Sequence, residues 1–280
     1  MAGYKETPRQ KMIGMMYLVL TALLALNVSK EIMDAFLVVN ESMETTNENF
    51  SKKLDNTYSK FQSQFMMNEE KVGPYWKRAQ RARELSDNLT KYIDSIKYVV
   101  IMRTDGLENL DSARTKKLRQ AKKKDNYDTP THFFIGSSQD GSAGESKKLR
   151  DRIESYKKQM LELVDEKNRA NIKMGIDTES QYLTPDGKPQ NWEMHNFYHT
   201  ILAATVTILN QIKADVKNIE FDVVNNIFSA VTAEDYKFDV IKAKVIPESQ
   251  FVFSGESYNA EIIVAAYETK GKPGVKWIQG

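Results

Sequence analysis

The chain has 280 residues, with 40 basic against 38 acidic side chains and 41% hydrophobic ones. This length allows more than one domain, and a net charge of +2 does not call for nucleic acid or an anionic surface as partner. There is no cysteine, which excludes disulfides, thiolate catalysis and cysteine-ligated metals; 7 prolines and 13 glycines are few for a loop-rich fold and favour long helices.

The first element is apolar. Met12 to Val28 runs 17 residues without a charge, at the short edge of a spanning helix, which needs about 20. Lys5, Arg9 and Lys11 precede it, against Glu6. By the positive-inside rule residues 1–11 stay cytoplasmic, residues 12–32 cross the membrane, and the remainder is exported. A cleaved signal peptide wants small residues two apart before the cut. Ala22 and Ala25 stand three apart, Asn27 with Ser29 is a poor substitute, and helical patterning continues into Phe36. A retained signal anchor is therefore expected, rather than a removed leader or a buried helix of a soluble domain. Gly14, Thr21 and Ala25 fall roughly on one face, where small side chains let another helix approach. Tyr17 lies one turn from Gly14, and Asn27 is polar but able to bond backbone or a neighbour. Small residues are also frequent in membrane helices generally, so periodicity leaves both readings open.

The next stretch has helical core spacing. Phe36, Met43, Phe50, Leu54, Phe61 and Phe65 recur at intervals of 7, 7, 4, 7 and 4, as one face of a helix requires. No proline or glycine lies between residues 15 and 72. One helix from Met12 to Glu70 is thus predicted, about 90 Å long at 1.5 Å per residue, ended by Gly73-Pro74. A second helix follows Pro74, with Ala82, Leu85, Leu89, Tyr92, Ile96 and Val99 on its seam and Asp105-Gly106 as its stop. Ser146 is predicted to cap a third, carrying Leu149, Ile153, Tyr156, Met160 and Leu163 and ending near Gly175. A fourth is predicted from about Asn191, with Leu202, Thr205, Leu209, Ile212, Val216, Ile219 and Val223 on its seam. Four such helices make an elongated antiparallel four-helix bundle over residues 33–231. The polar connection between the second and third helices is long for a bundle loop and reads as mobile or partner-binding.

After about residue 232 the pattern turns to Val, Ile, Phe and Tyr with turn residues at Pro247–Ser249 and Ser254–Ser257, which predicts two or three strands. Fewer than 50 residues are left, thin for a sandwich of about seven strands. Residues 232–280 are read as a partial, sandwich-like all-β domain, either a small appendage or a truncated one with exposed strand edges.

The search for chemistry is mostly negative. Glu193, His195 and His199 have helical spacing, and two histidines four apart can share a metal. No third ligand is evident nearby, so a structural role is expected and no metal or other cofactor is assigned. Arg114, Lys116, Lys117, Arg119, Lys122, Lys123 and Lys124 place seven basic residues in eleven. This reads as a solvated face rather than an anionic-partner site. No nucleophile elbow or phosphate loop is present, and no enzyme is expected.

Three blocks near the N-terminus carry a family resemblance: Thr7-Pro8-Arg9-Gln10-Lys11-Met12-Ile13, Met16-Tyr17-Leu18-Val19-Leu20 and Leu24-Ala25-Leu26-Asn27-Val28-Ser29. In this order within 23 residues they resemble the N-terminal signature of the GldM/PorM family, inner-membrane motor subunits of the type IX secretion and gliding machinery of Bacteroidota. Gly14-Met15 departs from the more polar or branched pair expected there. The resemblance implies a homodimer whose membrane helices sit inside a ring of a GldL-like partner, with further β domains reaching outer-membrane components. Proton flow through the ring would then move a periplasmic shaft; one charge crossing 100 mV yields about 2.3 kcal/mol. The span itself has no acid between Met12 and Val28, so the proton-binding carboxylate must belong to the partner. Arg9 is the candidate counter-charge, because arginine stays protonated and pairs a carboxylate bidentately. Composition alone reads Arg9 as a topogenic charge that snorkels to the headgroups. Lys11 is the second candidate, and Tyr17 offers a hydroxyl within the span. The competing reading is a passive anchored scaffold; a chemoreceptor-like sensor fits less well, with only about eleven residues before the span.

Overall fold

The computed structural model describes residues 7–184, 186–235, 240–247, 251, 255, 257 and 260–267. The fold is mainly helical, as expected, and divides into two compact units, Met1–Asn226 and Ile227–Gly280. In chain order the elements are α1 (Pro8–Met67), α2 (Glu69–Asp105), α3 (Leu110–Thr115), α4 (Asp128–Ile135), α5 (Glu145–Glu162), β1 (Tyr182–Leu183), β2 (Pro189–Gln190), α6 (Trp192–Phe197), α7 (Leu202–Asp235), β3 (Val240–Pro247) and β4 (Ala260–Tyr267). Short 3₁₀ turns occupy Leu118–Gln120 and Glu166–Asn171.

The first unit is built around α7. Its predicted seam, from Leu202 to Val223, is buried throughout, and so are Ala203, Val206, Asn210, Ala214 and Glu220 on its other sides. A helix covered on nearly every face is a central one. Around it stand α1, α2 and α5, the last presenting Leu149, Ile153, Tyr156 and Met160, each at most 3% exposed.

Four predicted boundaries move. The first break falls at Asn68, not at Gly73-Pro74. Asn68 leaves the helical region (φ −148°, ψ 83°), and its side chain accepts from the Lys71 N–H. Glu69 and Glu70 then occupy the first turn of α2, where the helix dipole favours acids. Pro74 lies inside α2, so close to its start that its missing N–H forfeits a single bond. The one-residue joint folds α2 back along α1. Trp76 meets Phe61 edge-on at 5.4 Å and stacks on Phe65 at 6.0 Å, while Arg83 pairs with Asp55 at 3.1 Å.

The third helix ends at Glu162 rather than near Gly175. Arg78 of α2 reaches the Leu163 carbonyl at 3.3 Å and the Asp165 carboxylate at 3.0 Å, taking over the helix end. Ser146 is inside α5 and not its cap; its hydroxyl donates to the Phe134 carbonyl at 2.5 Å. The predicted fourth helix is two. Asn191 caps α6 as expected, accepting from Met194 N–H, but the chain breaks at His199 (φ 50°). The first N–H groups of α7 are satisfied by distant loop carbonyls: Leu202 donates to Asn126 at 2.9 Å and Ala203 to Lys124 at 3.0 Å.

Those carbonyls belong to the long connection after α2, which is organised and holds α3 and α4. Gly106 ends α2 in the left-handed region (φ 67°), as its position predicted. Asp105 then anchors the loop: its carboxylate accepts from the Lys122 and Lys123 N–H groups at 3.0 and 2.9 Å and pairs with Lys116. Burial opposes the charge, but the Lys116 ammonium and these N–H groups outweigh it and hold Asp105 below the ordinary carboxylate range. At the other end Gly144 packs its Cα against the α4 backbone.

In the second unit β3 and β4 pair antiparallel, from Val240 opposite Tyr267 to Pro247 opposite Ala260. Val245, Ile262 and Val264 are 51%, 68% and 69% exposed. Two strands are described, the lower of the two numbers expected.

A side chain at residue 144 has no room. A Cβ there would lie 1.8 Å from the Phe134 carbonyl oxygen, so Gly144→Ala is expected to lose about 3 kcal/mol, the upper range for overpacking, read as a lowered midpoint in denaturant unfolding of the full chain.

Candidate functional site

The leader opens with a capping box. Thr7 accepts from the Gln10 N–H at 3.4 Å, and the Gln10 side chain accepts from the Thr7 N–H at 2.9 Å. Pro8 follows at the first helical position, where its missing N–H has no cost. Arg9 and Lys11 sit exposed in the first turn, which has no acid. Cations at this end oppose the helix dipole by roughly 0.3–1 kcal/mol each. Helix propensity therefore does not account for Arg9 and Lys11.

Beyond them the helix is apolar and uncovered. Met12, Met15, Met16, Leu18, Val19 and Leu20 are 56–71% exposed. Gly14, Tyr17 and Thr21 do share a face by their spacing of three and four. A Cβ at Gly14 would meet nothing within 4 Å, and Tyr17 is exposed. The Thr21 hydroxyl is satisfied within the helix, donating to the Tyr17 carbonyl at 2.7 Å. Ala25 and Asn27 are helical, but their side chains lie outside the described residues. Among the described residues no helix is long and apolar enough to cross a membrane; the described side chains of the apolar run stop at Thr21.

From Leu37 onward the same helix is held by the bundle. Leu37, Leu54, Tyr58 and Phe61 are buried, but the two intervening deep positions carry Asn40 (2% exposed) and Asn47 (6%). Phe36, Met43 and Phe50, expected at the centre of the seam, are half-buried flanks. Asn210 of α7 explains the arrangement. Its side-chain amide donates to Asn40 Oδ1 at 2.8 Å, its side-chain oxygen accepts from Lys97 at 3.1 Å, and its backbone carbonyl accepts from Asn47 Nδ2 at 3.0 Å. Lys217 adds bonds to the Asn47 carbonyl at 2.9 Å and the Ser51 hydroxyl at 2.5 Å. Asp94 on α2 closes the network between Lys97 at 2.9 Å and Lys213 at 2.5 Å. Burial opposes its charge, but the two ammonium groups prevail and lower its pKa. Lys217 is shifted down by burial and by Lys213.

This polar lock was missed in the sequence. Asn40 and Asn47 stand seven apart inside an apolar seam, the one signal that marks a register-setting position in a coiled coil.

The remaining candidates are structural. His195 stacks on Tyr182 at 4.0 Å and bonds Gln190 through Nδ1 at 3.1 Å. His199 stacks on Tyr127 at 5.2 Å, and Glu193 pairs with Arg150 at 3.3 Å. The three therefore serve separate packing contacts. Within the basic run, Arg114 pairs with Asp111, Lys116 with Asp105, and Arg119 with Glu41 of α1 through two bonds of 2.8 and 3.2 Å.

A helical bundle that grips one long helix by buried polar contacts, and leaves that helix's leader bare, defines a structural component of a larger assembly. The chain belongs to the GldM family: the profile of the GldM N-terminal domain matches residues 31–230 and that of the GldM second domain matches residues 232–280. Among curated proteins, none matches the chain significantly. Membership makes the chain a component of the gliding and type IX secretion machinery.

Asn210→Ala would leave Asn40 and Lys97 short of a buried partner. Such losses cost about 1–3 kcal/mol, so chemical denaturation should show a destabilisation of that size, larger than for alanine at the exposed Asn56 of α1.

Proposed function

We propose that the protein is an ion-gradient-driven motor subunit whose leader, residues 12–32, is a transmembrane shaft seated in a GldL-like ring. The N-terminus is cytoplasmic and the bundle periplasmic. Ion flow through the ring moves the shaft, and the bundle carries that motion to outer-membrane components through the β domains. The observation that carries this reading is the continuity of α1, 60 residues without a break, with an uncovered apolar leader at one end and the polar lock at the other. A helix of that length spans about 90 Å, and torque applied to its leader reaches Asn40 and Asn47 without crossing a joint. The partners are a second copy of the chain and the ring. Exposed Ile32, Val38 and Val39, at 52%, 59% and 46%, offer apolar surface on α1 just past the leader for the second copy.

Arg9 and Lys11 supply the counter-charge. Their placement against the helix dipole is relieved by a carboxylate of the ring, which Arg9 pairs bidentately until a proton neutralises it. Gly14, Thr21 and Ala25 give the close approach, and Tyr17 and Asn27 the polar contacts.

Arg9→Ala is expected to fold and insert normally yet abolish gliding and secretion, whereas a substitution of Lys30 has a lesser effect; cell tracking and assay of secreted cargo decide this, and normal gliding by the Arg9 variant removes it from the mechanism.

Two further variants separate motor from passive scaffold. Inserting Gly-Gly-Ser after Glu31, or exchanging residues 12–28 for an unrelated spanning helix, should stop motility while leaving protein level and bundle stability unchanged. A scaffold tolerates both.

A further inference from the structure

The bundle core holds a second polar cluster that the lock does not use. Glu220 of α7 is 4% exposed, and Tyr58 of α1, Ser86 of α2 and Tyr156 of α5 surround it at 4%, 1% and 3%. Besides a hydrogen bond between Ser86 and Glu220, four contacts tie the cluster together. Tyr58 Oη lies 2.8 Å from Glu220 Oε1 and 3.2 Å from the Ala79 carbonyl. Ser86 Oγ lies 3.0 Å from Tyr156 Oη, which lies 2.9 Å from the Val216 carbonyl.

The protons do not suffice if Glu220 is ionised. Ser86 also hydrogen-bonds the Glu220 carboxyl, so three hydroxyl groups bring three protons to five contacts, and Tyr58, with one proton, faces two acceptors. A proton on Glu220 reduces the shortage: Glu220 donates to Tyr58, Tyr58 is freed for Ala79, Tyr156 donates to Val216, and Ser86 serves Tyr156 or Glu220.

Charge points the same way. No cation among the described residues pairs with Glu220. Arg83 of α2, the nearest candidate, is taken by Asp55 at 3.1 Å and lies over the Tyr58 ring at 4.8 Å. Asp87, also on α2, adds negative charge, and α5 presents only the neutral Tyr156. On α7 itself Lys217 is committed to Asn47 and Ser51. A buried carboxylate without a cation is costly and takes up a proton instead.

We propose that Glu220 is a proton-binding clasp, neutral when the bundle is closed, that joins α1, α2, α5 and α7 and loosens when it ionises. Ionisation forces Tyr58 to donate to the carboxylate, releases the Ala79 contact and leaves an unpaired charge among four helices. A cleft of about 360 Å³ lined by Tyr58, Trp76, Arg83 and Asp87 gives the proton a path to solvent. The clasp goes beyond the motor reading and does not depend on it.

Burial, with Asp87 adding to it, outweighs the hydrogen bonds from Tyr58 and Ser86 and the Arg83 charge and raises Glu220 from 4.5 to about 7. A carboxyl raised on folding binds more protons in the native than in the unfolded state. Its contribution to stability is therefore complete below about 4.5, falls as pH rises toward 7, and is gone above that.

The test is a carboxyl-carbon NMR titration of the full chain in detergent, labelled selectively at glutamate. One glutamate should titrate near 7; if every glutamate titrates near 4.5, Glu220 is an ordinary ionised carboxylate and the clasp is overturned. The unfolding temperature of Glu220→Gln, a neutral mimic that keeps a donor, should fall less between pH 5 and pH 8 than that of the unmodified chain. An unchanged pH slope sinks the proposal equally, and the titration stands even if this variant does not fold.

Discussion

Asn210 holds α1, 60 residues long, in place. It touches α1 twice, through Asn40 and Asn47, and α2 through Lys97. An apolar seam is non-directional and tolerates a helix turning or sliding by part of a residue. A buried amide does not, because any rotation of α1 leaves the donors and acceptors of Asn40, Asn47 and Asn210 unpaired, at about 1–3 kcal/mol for each. The contacts therefore fix register and azimuth more than they add stability, as a single buried asparagine does in a coiled coil.

The same helix is held at other points by different chemistry. Near its C-terminal end, three aromatic rings close on Trp76, which is attraction by area and ring geometry. Between the two lies the Tyr58–Glu220 pair, and outside them the exposed Arg119–Glu41 pair, worth little by itself but tying the long loop to α1. From Leu37 to Phe65 α1 thus meets α7, α2 and the loop. Before residue 31 the described apolar side chains, from Met12 to Leu20, stand exposed. In the function proposed above, this contrast along one unbroken helix makes the leader the part that another body grips and the bundle the part that follows.

The long connection shows how polar loops become structure. Asp105 gathers two backbone N–H groups and a lysine, and the loop in return caps α7 with the carbonyls of Lys124 and Asn126. Much of the basic run is spent on these internal duties. Arg114, Lys116 and Arg119 each meet a carboxylate of the same chain.

The residues by themselves determined the long helices, the seams of α5 and α7, the stop at Gly106, the cap at Asn191 and the family, because each rests on local signals: period, capping chemistry and a contiguous motif. Only the tertiary structure decided where α1 yields to α2, where α5 stops, that α6 and α7 are separate, and that Asn40, Asn47 and Glu220 are interior. Those outcomes depend on partners far away in sequence. Arg78 reaches Leu163, Asn126 caps Leu202, and Asn210 meets Asn40 across 170 positions. A polar side chain reads as surface until the group that satisfies it is known, and that group is brought near only by folding.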